Sequence, residues 1–278
     1  MTELPTSDFF EILRDGPVVE MRMNRPDKAN GMNMAFWDDL PVLMSALDAD
    51  MSVRALVISG AGKHFSGGMD LAAFQSIHQL LSQEPGRAAY ALRRLIQKFQ
   101  ASLSSLEQSR LPVIAAIHGA CIGGAVDLIC CCDVRLAAKD VRFAIEEINI
   151  GMAADVGTLQ RLPKLIPFGI AAELALTGRR FGADDAAGWG LVNAVHEDAD
   201  AVRAAARDLA AEIAQKSPLA IAGIKTSMTY ARDHGVQDGL EQIAVWNAGM
   251  LRSEDLMRAI QARMTKAEAD FADLLDDM

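Results

Sequence analysis

The sequence of 278 residues lacks several features that would assign it to a broad class of protein. It contains no apolar run near the roughly 18 residues that a membrane-spanning helix needs, so no membrane span is predicted. It also lacks any long basic run, and its net charge is -10, which argues against a general nucleic-acid surface. An anionic ligand would therefore need a local basic patch.

Cysteines and histidines are few and poorly placed for metal binding. Cys121, Cys130, Cys131 and Cys132 are the only cysteines, and three adjacent thiols suit neither an ordinary disulfide framework nor a zinc site. We expect them to be reduced and mostly buried in helices. The five histidines form no pair at metal-ligand spacing, and no Gly-x-Ser-x-Gly turn supports a serine nucleophile. No metal is predicted, and carboxylates are the better candidates for proton transfer.

The composition favours a large globular core. Hydrophobic residues make up 51% of the chain, which is enough for one large domain or for a core with an appended subdomain. The N-terminal stretch MTELPTSDFFEIL carries acids where a secretory signal or a mitochondrial leader would carry Arg or Lys. We therefore expect a cytoplasmic location.

Short apolar runs alternate with glycine-rich turns and helical stretches over the first two thirds of the chain. VVEMRM (18–23), RALVIS (54–59) and PVIAAI (112–117) are typical of strands, and DVRLA (133–137) and VRFAI (141–145) are further candidates. GAGKHFSGG and HGACIGGA follow two of these runs. The recurrence of strand, glycine-rich turn and helix predicts an α/β core with sites at strand ends.

Strand signals disappear after about residue 198. The remaining sequence is typical of helices throughout. We therefore predict an α/β core with the active site over residues 1–198 and a helical region over residues 199–278. The last helices could cap the core or exchange between subunits.

Two glycine-rich turns could bring backbone amides against a ligand. They are SGGMD (66–70) and IGGAVD (122–127). Glycine lets a backbone N–H approach a ligand closely, as the stabilisation of an oxygen that gains negative charge requires. If the second turn opens a helix, free amides near Gly124 and the helix dipole would polarise a carbonyl oxygen. The alternative is that both turns only make tight bends and close helix contacts.

Three acids lie in the same apolar surroundings. Asp127 follows the second turn, and Glu147 and Asp155 lie in IEEINIGMAADVGTLQRLP (145–163). Each has a structural alternative: Asp127 could complement a helix N-terminus, Glu147 could be a solvated strand-end acid and Asp155 could cap the next helix. Glu146 is expected to face solvent by strand alternation.

The motifs HFSGGMDL, PVIAAIHGACIGGAVDL and CDVRLA together resemble the crotonase, or enoyl-CoA hydratase/isomerase, superfamily. The resemblance implies an α/β fold, a crotonase-like spiral of repeated ββα units with a C-terminal all-helical trimerisation region. It also implies an oxyanion hole formed by the backbone N–H groups of Met69 and Gly124. This oxyanion hole would bind the carbonyl oxygen of an acyl-CoA thioester.

Within the superfamily, EEINIGMAADVGTLQRLPK and WNAGMLRSEDL resemble the Δ3,5-Δ2,4-dienoyl-CoA isomerases of fatty-acid β-oxidation. That subgroup has a carboxylate triad, and Asp127, Glu147 and Asp155 match it. An ordinary hydratase typically carries glycine at the third position. The resemblance therefore implies isomerisation of a 3,5-dienoyl-CoA to the conjugated 2,4-dienoyl-CoA.

The isomerisation removes a proton at carbon 2 and delivers one at carbon 6. Because these carbons are too far apart for one rigid carboxylate, two groups are expected. The resemblance assigns removal to Glu147 and delivery to Asp155, which must start protonated. The apolar run GMAADVG could raise the pKa of Asp155 by desolvation. Asp127 is also expected to be catalytic, either by tuning the other two acids or by carrying a proton.

Two other functions stay open on the sequence. One is a 2-enoyl-CoA hydratase, in which Asp127 and Glu147 position a water molecule. The other is a catalytically inactive relative that binds acyl-CoA or RNA, although the net charge of -10 argues against RNA. No cofactor is implied, because coenzyme A is part of the substrate.

Substrate contacts and assembly are less defined by the sequence. Arg25, Lys28 and Lys63 lie in loops that could meet the CoA phosphates, although surface cations at such positions are usually only solvated. Met32, Phe74 and the long helix that follows are expected to shape the acyl pocket. The resemblance implies a homotrimer, or a hexamer made of two trimers.

Overall fold

A computed structural model describes residues 5–70, 73 and 79–276. The strands of these residues are β1 (Phe10–Asp15), β2 (Val18–Met23), β3 (Ala55–Gly60), β4 (Val113–Ile117), β5 (Ala120–Ile122), β6 (Val134–Ala138), β7 (Arg142–Ala144), β8 (Phe181–Gly182) and β9 (Ala194–His196). They form a six-stranded sheet in the order β1-β2-β3-β4-β6-β9 and a three-stranded sheet in the order β5-β7-β8. Apart from the antiparallel β1–β2 pair, the larger sheet is parallel.

Strands β3 and β4 lie in the middle of the larger sheet and are buried at every position. Their sequences, ALVISG and VIAAI, show no polar alternation because both faces of a parallel sheet are covered. Parallel pairing places Val57 opposite Ile114. The strands predicted over 54–59 and 112–117 are therefore confirmed to within one residue.

From β4 to β7, consecutive strands alternate between the two sheets. β4 lies in the larger sheet and β5 in the smaller one, and β6 and β7 repeat this division. The turn from β4 to β5 requires Gly119, with φ +57°, because a Cβ at this position would lie 2.1 Å from the Lys63 carbonyl oxygen. One strand for each sheet, followed by a helix, is the ββα unit that the resemblance predicts.

The helices of the described residues follow these strands and fill the C-terminal region. They are α1 (Met34–Ala49), α2 (Pro85–Gln108), α3 (Gly124–Cys130), α4 (Thr158–Leu165), α5 (Phe168–Thr177), α6 (Ala183–Gly188), α7 (Ala199–Ala214), α8 (Pro218–Asp233), α9 (Val236–Met250) and α10 (Glu254–Thr265). Helix α2 begins with Pro85, and the carboxylate of Glu84 accepts hydrogen bonds from the first free amides. Phe74, one of the residues expected to shape the acyl pocket, lies outside the described residues.

Helix α7 covers one face of the larger sheet. Val202, Ala206, Ala210 and Ala214 recur every four residues and are buried against the strands. The first helix after residue 198 is thus packed into the core. The division at residue 198 stays a prediction, and the helices after α7 make up the rest of the predicted helical region.

Helix α8 is joined to the core by a buried lysine. The Nζ of Lys225 donates to the carbonyl oxygens of Leu106 and Leu111 at 2.8 and 2.5 Å, and it lies 2.9 Å from the carboxylate of Asp133. Leu106 is in the last turn of α2, so a positive charge also satisfies the C-terminal end of that helix. This contact connects α8 with the C-terminal end of α2.

The segment after β7 differs from the strand predicted over 141–145. β7 ends at Ala144, and a 3-10 helix, Glu146–Ile150, follows. Strand alternation does not apply there, so the prediction that Glu146 faces solvent was wrong: Glu146 is half-buried, as is Glu147.

All four cysteines are buried and free, as predicted, but the expected helical placement holds for Cys130 alone, because Cys121 lies in β5 and Cys131 and Cys132 follow the end of α3. Among the described helices, none is long and apolar enough to cross a membrane. The described residues also contain no cluster of three or more His, Cys, Asp or Glu side chains that could hold a metal ion.

Candidate active site

The three predicted acids come from three different elements. Asp127 lies in the first turn of α3 and is fully buried. Glu147 lies in the 3-10 helix that follows β7, and Asp155 lies in the loop before α4. The negative charges of Asp127 and Asp155 both raise the pKa of Glu147, so the three carboxyl groups are within electrostatic range of one another.

Asp127 binds the N-terminus of α4. Its Oδ1 accepts a hydrogen bond of 2.5 Å from the N–H of Thr158, the first residue of that helix. The N-cap position is Gly157, which has no side chain to offer. The structural alternative in which Asp155 caps this helix is therefore wrong, because Asp127 provides the carboxylate from across the interface between α3 and α4.

Several polar atoms around these acids are buried without a hydrogen-bond partner among the described residues. They are Asp127 Oδ2, Glu147 Oε2 and Thr158 Oγ1. A buried polar group without a partner is costly, and such groups are concentrated where a protein binds or transforms another molecule. The region around Asp127 and Glu147 is therefore the best candidate for the reactive centre.

Burial raises the pKa of each acid. Desolvation raises the pKa of Asp127 to about 6, against the opposing effect of the hydrogen bond from the Thr158 N–H. Desolvation and then the charge of Asp127 raise the pKa of Glu147 to about 7. Desolvation also raises the pKa of Asp155 above its ordinary value. Proton exchange near neutral pH is therefore accessible to Asp127 and Glu147.

The two glycine-rich turns lie against each other. The Ser66 N–H donates to the Ala120 carbonyl oxygen at 2.9 Å, and the Ile122 N–H donates to the Ser66 carbonyl oxygen at 3.1 Å. Gly68 has φ +87°, and a Cβ there would lie 2.5 Å from the Ile122 carbonyl oxygen and 3.5 Å from the Gly124 nitrogen. Only glycine permits this approach between the turns.

Backbone pairing leaves the two predicted oxyanion amides available. Met32 and Met69 form a parallel bridge in which the Met32 N–H donates to Gly68 and the Asp70 N–H donates to Met32. The Met69 N–H, between them, points to the other side. Gly124 is the first residue of α3, where amides lack intrahelical acceptors. Neither N–H donates to another group within the described part of the chain.

Glu147 lies over the second turn. A Cβ built at Gly123, which has φ +55°, would lie 3.1 Å from Glu147 Oε1. A Cβ at Gly124 would lie 3.3 Å from the sulfur of Met32. The carboxylate, one predicted oxyanion amide and a residue of the predicted acyl pocket are therefore neighbours.

Asn30 was missed in the sequence and supports the first turn. It is fully buried with φ +51°, and its Nδ2 lies 2.9, 2.7 and 3.2 Å from the carbonyl oxygens of Ala61, His64 and Phe65. Its own carbonyl oxygen accepts a hydrogen bond from Ser66 Oγ at 2.9 Å. An Asn before a Gly in a loop rich in Pro and Gly was the only signal in the sequence.

The cations expected near the CoA phosphates differ in their contacts. Arg25 donates to the Asp70 carboxylate at 2.8 Å and to the Gly31 carbonyl oxygen at 2.6 Å. Lys28 and Lys63 are exposed. A phosphate contact from any of the three stays a prediction.

Comparison with known proteins gives a consistent set of relatives. Residues 14–273 match the profile of the enoyl-CoA hydratase/isomerase family. The chain is 45% identical over 253 residues to "Delta(3,5)-Delta(2,4)-dienoyl-CoA isomerase, mitochondrial" of Mus musculus, which covers 90% of this chain and 77% of the relative. It is 42% identical over 270 residues to "Delta(3,5)-Delta(2,4)-dienoyl-CoA isomerase, peroxisomal" of Arabidopsis thaliana, which covers 95% of this chain and 97% of the relative.

The fold is shared with solved structures. The crystal structure of an enoyl-CoA hydratase from Bacillus anthracis has a TM-score of 0.87 at 26% identity and covers 95% of this chain and 99% of its own. The predicted α/β spiral with a helical C-terminal region is thereby confirmed.

The names of the relatives correct one prediction. The Mus musculus and Arabidopsis thaliana proteins are named as mitochondrial and peroxisomal, so the predicted cytoplasmic location is contradicted. That prediction was based on the acidic residues of the N-terminal stretch MTELPTSDFFEIL. The charge of this stretch indicates whether it resembles a leader, but it does not determine where a folded protein acts.

Proposed function

We propose that this chain, which belongs to the enoyl-CoA hydratase/isomerase family, isomerises a 3,5-dienoyl-CoA to the conjugated 2,4-dienoyl-CoA. The observation that carries the proposal is a third acid, Asp155, within electrostatic range of Glu147, which itself lies against the turn that carries the Gly124 amide. Two relatives with this activity in their names, at 45% and 42% identity, support it.

The reaction begins with the thioester carbonyl oxygen bound by the N–H groups of Met69 and Gly124. Glu147 then removes a proton from carbon 2, and the electron pair of that C–H bond moves into a conjugated dienolate. The negative charge collects on the thioester oxygen. Judging by single-donor deletions in other enzymes, each amide would lower the barrier by ~3 kcal/mol.

The second step restores a neutral thioester. Asp155 donates its proton to carbon 6, the double bonds come to rest at carbons 2 and 4, and the oxyanion is discharged. Glu147 has gained one proton and Asp155 has lost one, so exchange with solvent resets the pair. No electron is lost or gained overall, and coenzyme A leaves as part of the product.

The protonation states required by this scheme are supported by the surroundings of each acid. Glu147 must be ionised to act as a base, and with a pKa of about 7 it is substantially ionised at neutral pH. A base whose pKa lies near the working pH is also the most effective. Burial raises the pKa of Asp155, which increases its protonated fraction. Asp127 adds the charge that keeps the pKa of Glu147 high.

We also propose that the chain assembles as a homotrimer or as a hexamer of two trimers. Large apolar side chains are exposed on the last helices, including Val236 and Met264, which are 82% and 80% exposed. Exposed apolar surface of this kind is typical of subunit contacts.

The test of the activity uses two substrates and the unmodified protein. With a 3,5-dienoyl-CoA, we expect ultraviolet absorbance to rise as the conjugated 2,4-diene forms. With crotonyl-CoA, we expect little loss of the enoyl absorbance, because a hydratase would add water to this substrate. Rapid hydration of crotonyl-CoA without formation of a 2,4-diene would favour the hydratase function and contradict the proposal.

A further inference from the structure

Helix α2 presents three polar side chains on one face to the loop that carries Asp155. Gln100, Ser104 and Glu107 are spaced by four and three residues, so they lie in line along the helix. Gln100 Nε2 donates to the Asp155 carbonyl oxygen at 2.7 Å. Helix α2 therefore contacts the backbone of the proposed proton donor directly.

Arg161 of α4 connects the other two residues to the same loop. Its guanidinium donates to both carboxylate oxygens of Glu107, at 2.5 and 3.1 Å, and to Ser104 Oγ at 3.0 Å. A third nitrogen, Nη1, lies 3.5 Å from the Val156 carbonyl oxygen. Arg161 and Glu107 are both largely buried, with side chains 13% and 12% exposed. A paired guanidinium and carboxylate in this setting hold a fixed geometry.

Gly157 shows how closely the loop lies on Arg161. Gly157 has φ +137°, and a Cβ at this position would lie 1.9 Å from Arg161 Nη1. The guanidinium thus occupies the space that a side chain would fill. Any residue other than glycine would displace either Arg161 or the loop.

Polar contacts, more than packing, hold the loop on this side. A cavity of about 400 Å³ borders Gly157 and the polar face of α2. Because side chains do not fill this space, loss of a hydrogen bond leaves the loop room to shift. The carboxylate of Glu107 stays ionised in this position. Burial would raise its pKa, but hydrogen bonds from Arg161 and Arg232 hold it below the usual value.

The polar face itself is well anchored. The rings of Trp37 in α1 and Phe99 in α2 stack with centroids 4.4 Å apart, directly beside Gln100 in the sequence. At the other end of α2, Lys225 binds the Leu106 carbonyl oxygen, beside Glu107. The face can therefore act as a rigid reference for the loop.

We propose that Gln100, Ser104 and Glu107, together with Arg161, are positioning residues that set the place of Asp155 over carbon 6. These four residues are named the α2 clamp. The inference rests on the proposed isomerase function. The α2 clamp contacts the backbone carbonyl oxygens of Asp155 and Val156, and it forms no hydrogen bond with Glu147 among the described residues.

The two proton transfers depend on different groups of the site. Removal of the proton at carbon 2 depends on Glu147 and the two amides, while delivery at carbon 6 depends on the place of Asp155. If the α2 clamp is weakened, the dienolate still forms but returns to substrate by reprotonation at carbon 2. In D2O, the proton that Glu147 has taken up exchanges for deuterium from the solvent, so this return puts deuterium at carbon 2 of the recovered 3,5-dienoyl-CoA.

The experiment measures both events on the same enzyme. In D2O, deuterium in the recovered substrate is measured by mass spectrometry and 2,4-diene formation by ultraviolet absorbance. We expect Gln100→Leu and Glu107→Gln to raise the ratio of exchange to isomerisation about tenfold, as for a small misplacement of a reacting group. Both rates scale with the amount of folded enzyme, so partial unfolding leaves their ratio unchanged.

Gln160→Leu is the matched control. Gln160 is exposed and borders the same cavity, and its side chain makes no hydrogen bond with the described residues. The ratio of exchange to isomerisation in Gln160→Leu should therefore equal that of the unmodified protein. An unchanged ratio in both Gln100→Leu and Glu107→Gln, with an active unmodified protein, overturns the α2 clamp alone. An unmodified protein that forms no 2,4-diene overturns the proposed function, and the clamp with it.

Discussion

At the scale of single residues, the site uses carboxyl groups whose burial is unfavourable for folding. Desolvation raises the pKa of Asp127, Glu147 and Asp155, so each resists ionisation more than it would in water. The same resistance makes a carboxylate a stronger base and a carboxylic acid available as a donor. Stability and chemistry are therefore coupled at these positions.

The pH dependence of the reaction should follow Glu147. Its pKa of about 7 lies above the ordinary 4.5, so protonation disables the base as pH falls below about 7. We expect kcat/KM for isomerisation to fall toward a tenfold loss per pH unit on this acid limb. In Asp127→Asn, loss of the neighbouring charge should move the limb to lower pH. An acid limb near pH 4.5 in the unmodified protein would contradict this assignment.

Glu147→Gln should stabilise the protein while it abolishes activity. The folded pKa of about 7 exceeds the ordinary 4.5, so the unfolded chain ionises first and stability falls as pH rises between these values. Above pH 7 the substitution should therefore raise the free energy of unfolding by roughly 1 to 3 kcal/mol, and below pH 4 it should change it little. Thermal denaturation at pH 8 and pH 4 measures this difference.

Glu146→Gln makes the same change in net charge one residue away and serves as the control. We expect it to shift the melting temperature much less at pH 8. Equal stabilisation by both substitutions would mean that general charge repulsion, and not the site of Glu147, causes the effect.

At the scale of elements, the close approach of two turns sets the oxyanion amides. Gly68→Ala would place a Cβ 2.5 Å from the Ile122 carbonyl oxygen at φ +87°. We expect the turn carrying Met69 to shift, with a loss in kcat of about 10²-fold, the size seen when one oxyanion donor is removed. Steady-state kinetics with a 3,5-dienoyl-CoA measures this loss.

Gly16→Ala is the control for backbone strain without a steric clash. Gly16 also has a positive φ, +55°, but a Cβ there meets nothing within 4 Å. It lies between β1 and β2, and we expect a modest loss of stability of ~1 kcal/mol with kcat unchanged. A similar loss of kcat in both variants would argue that the turn of Gly68 has no special part in the reaction.

The predictable elements were those governed by local patterns. β3 and β4 are continuous apolar runs, so the sequence located them to within one residue. The 3-10 helix at Glu146–Ile150 was not predicted, because a five-residue element without periodicity resembles the end of a strand. The side chain that binds the α4 N-terminus was also misassigned, since Asp127 reaches it from 31 positions earlier in the chain.

The residues of the candidate site could likewise be predicted only where the local sequence pattern indicated them. Asp127, Glu147 and Asp155 were found because acids in apolar sequence are conspicuous and because they match a family pattern. Asn30, Gln100 and Arg161 were missed, since polar residues in loops and on helix surfaces are common. Their contacts with carbonyl oxygens appear only when distant segments meet in the fold. Sequence can thus nominate reacting groups more readily than the groups that position them.

At the scale of the whole molecule, the fold alone does not determine the reaction. The same architecture is found in an enoyl-CoA hydratase with a TM-score of 0.87, so the sheets and the crossing turns serve more than one chemistry. We propose that Asp155, on a loop that α2 and α4 contact, directs this chain to isomerisation. Helices α1 and α8 in turn contact α2.

The most direct measurement of the central claim compares Asp155→Asn with the unmodified protein on a 3,5-dienoyl-CoA, followed by ultraviolet absorbance. Asparagine keeps the shape of Asp155 but cannot deliver a proton. We expect the rate of 2,4-diene formation to fall by at least about 10²-fold, the typical contribution of a general acid. An Asp155→Asn variant that forms the 2,4-diene at the unmodified rate would contradict the proposed role of Asp155 and, with it, the isomerase mechanism.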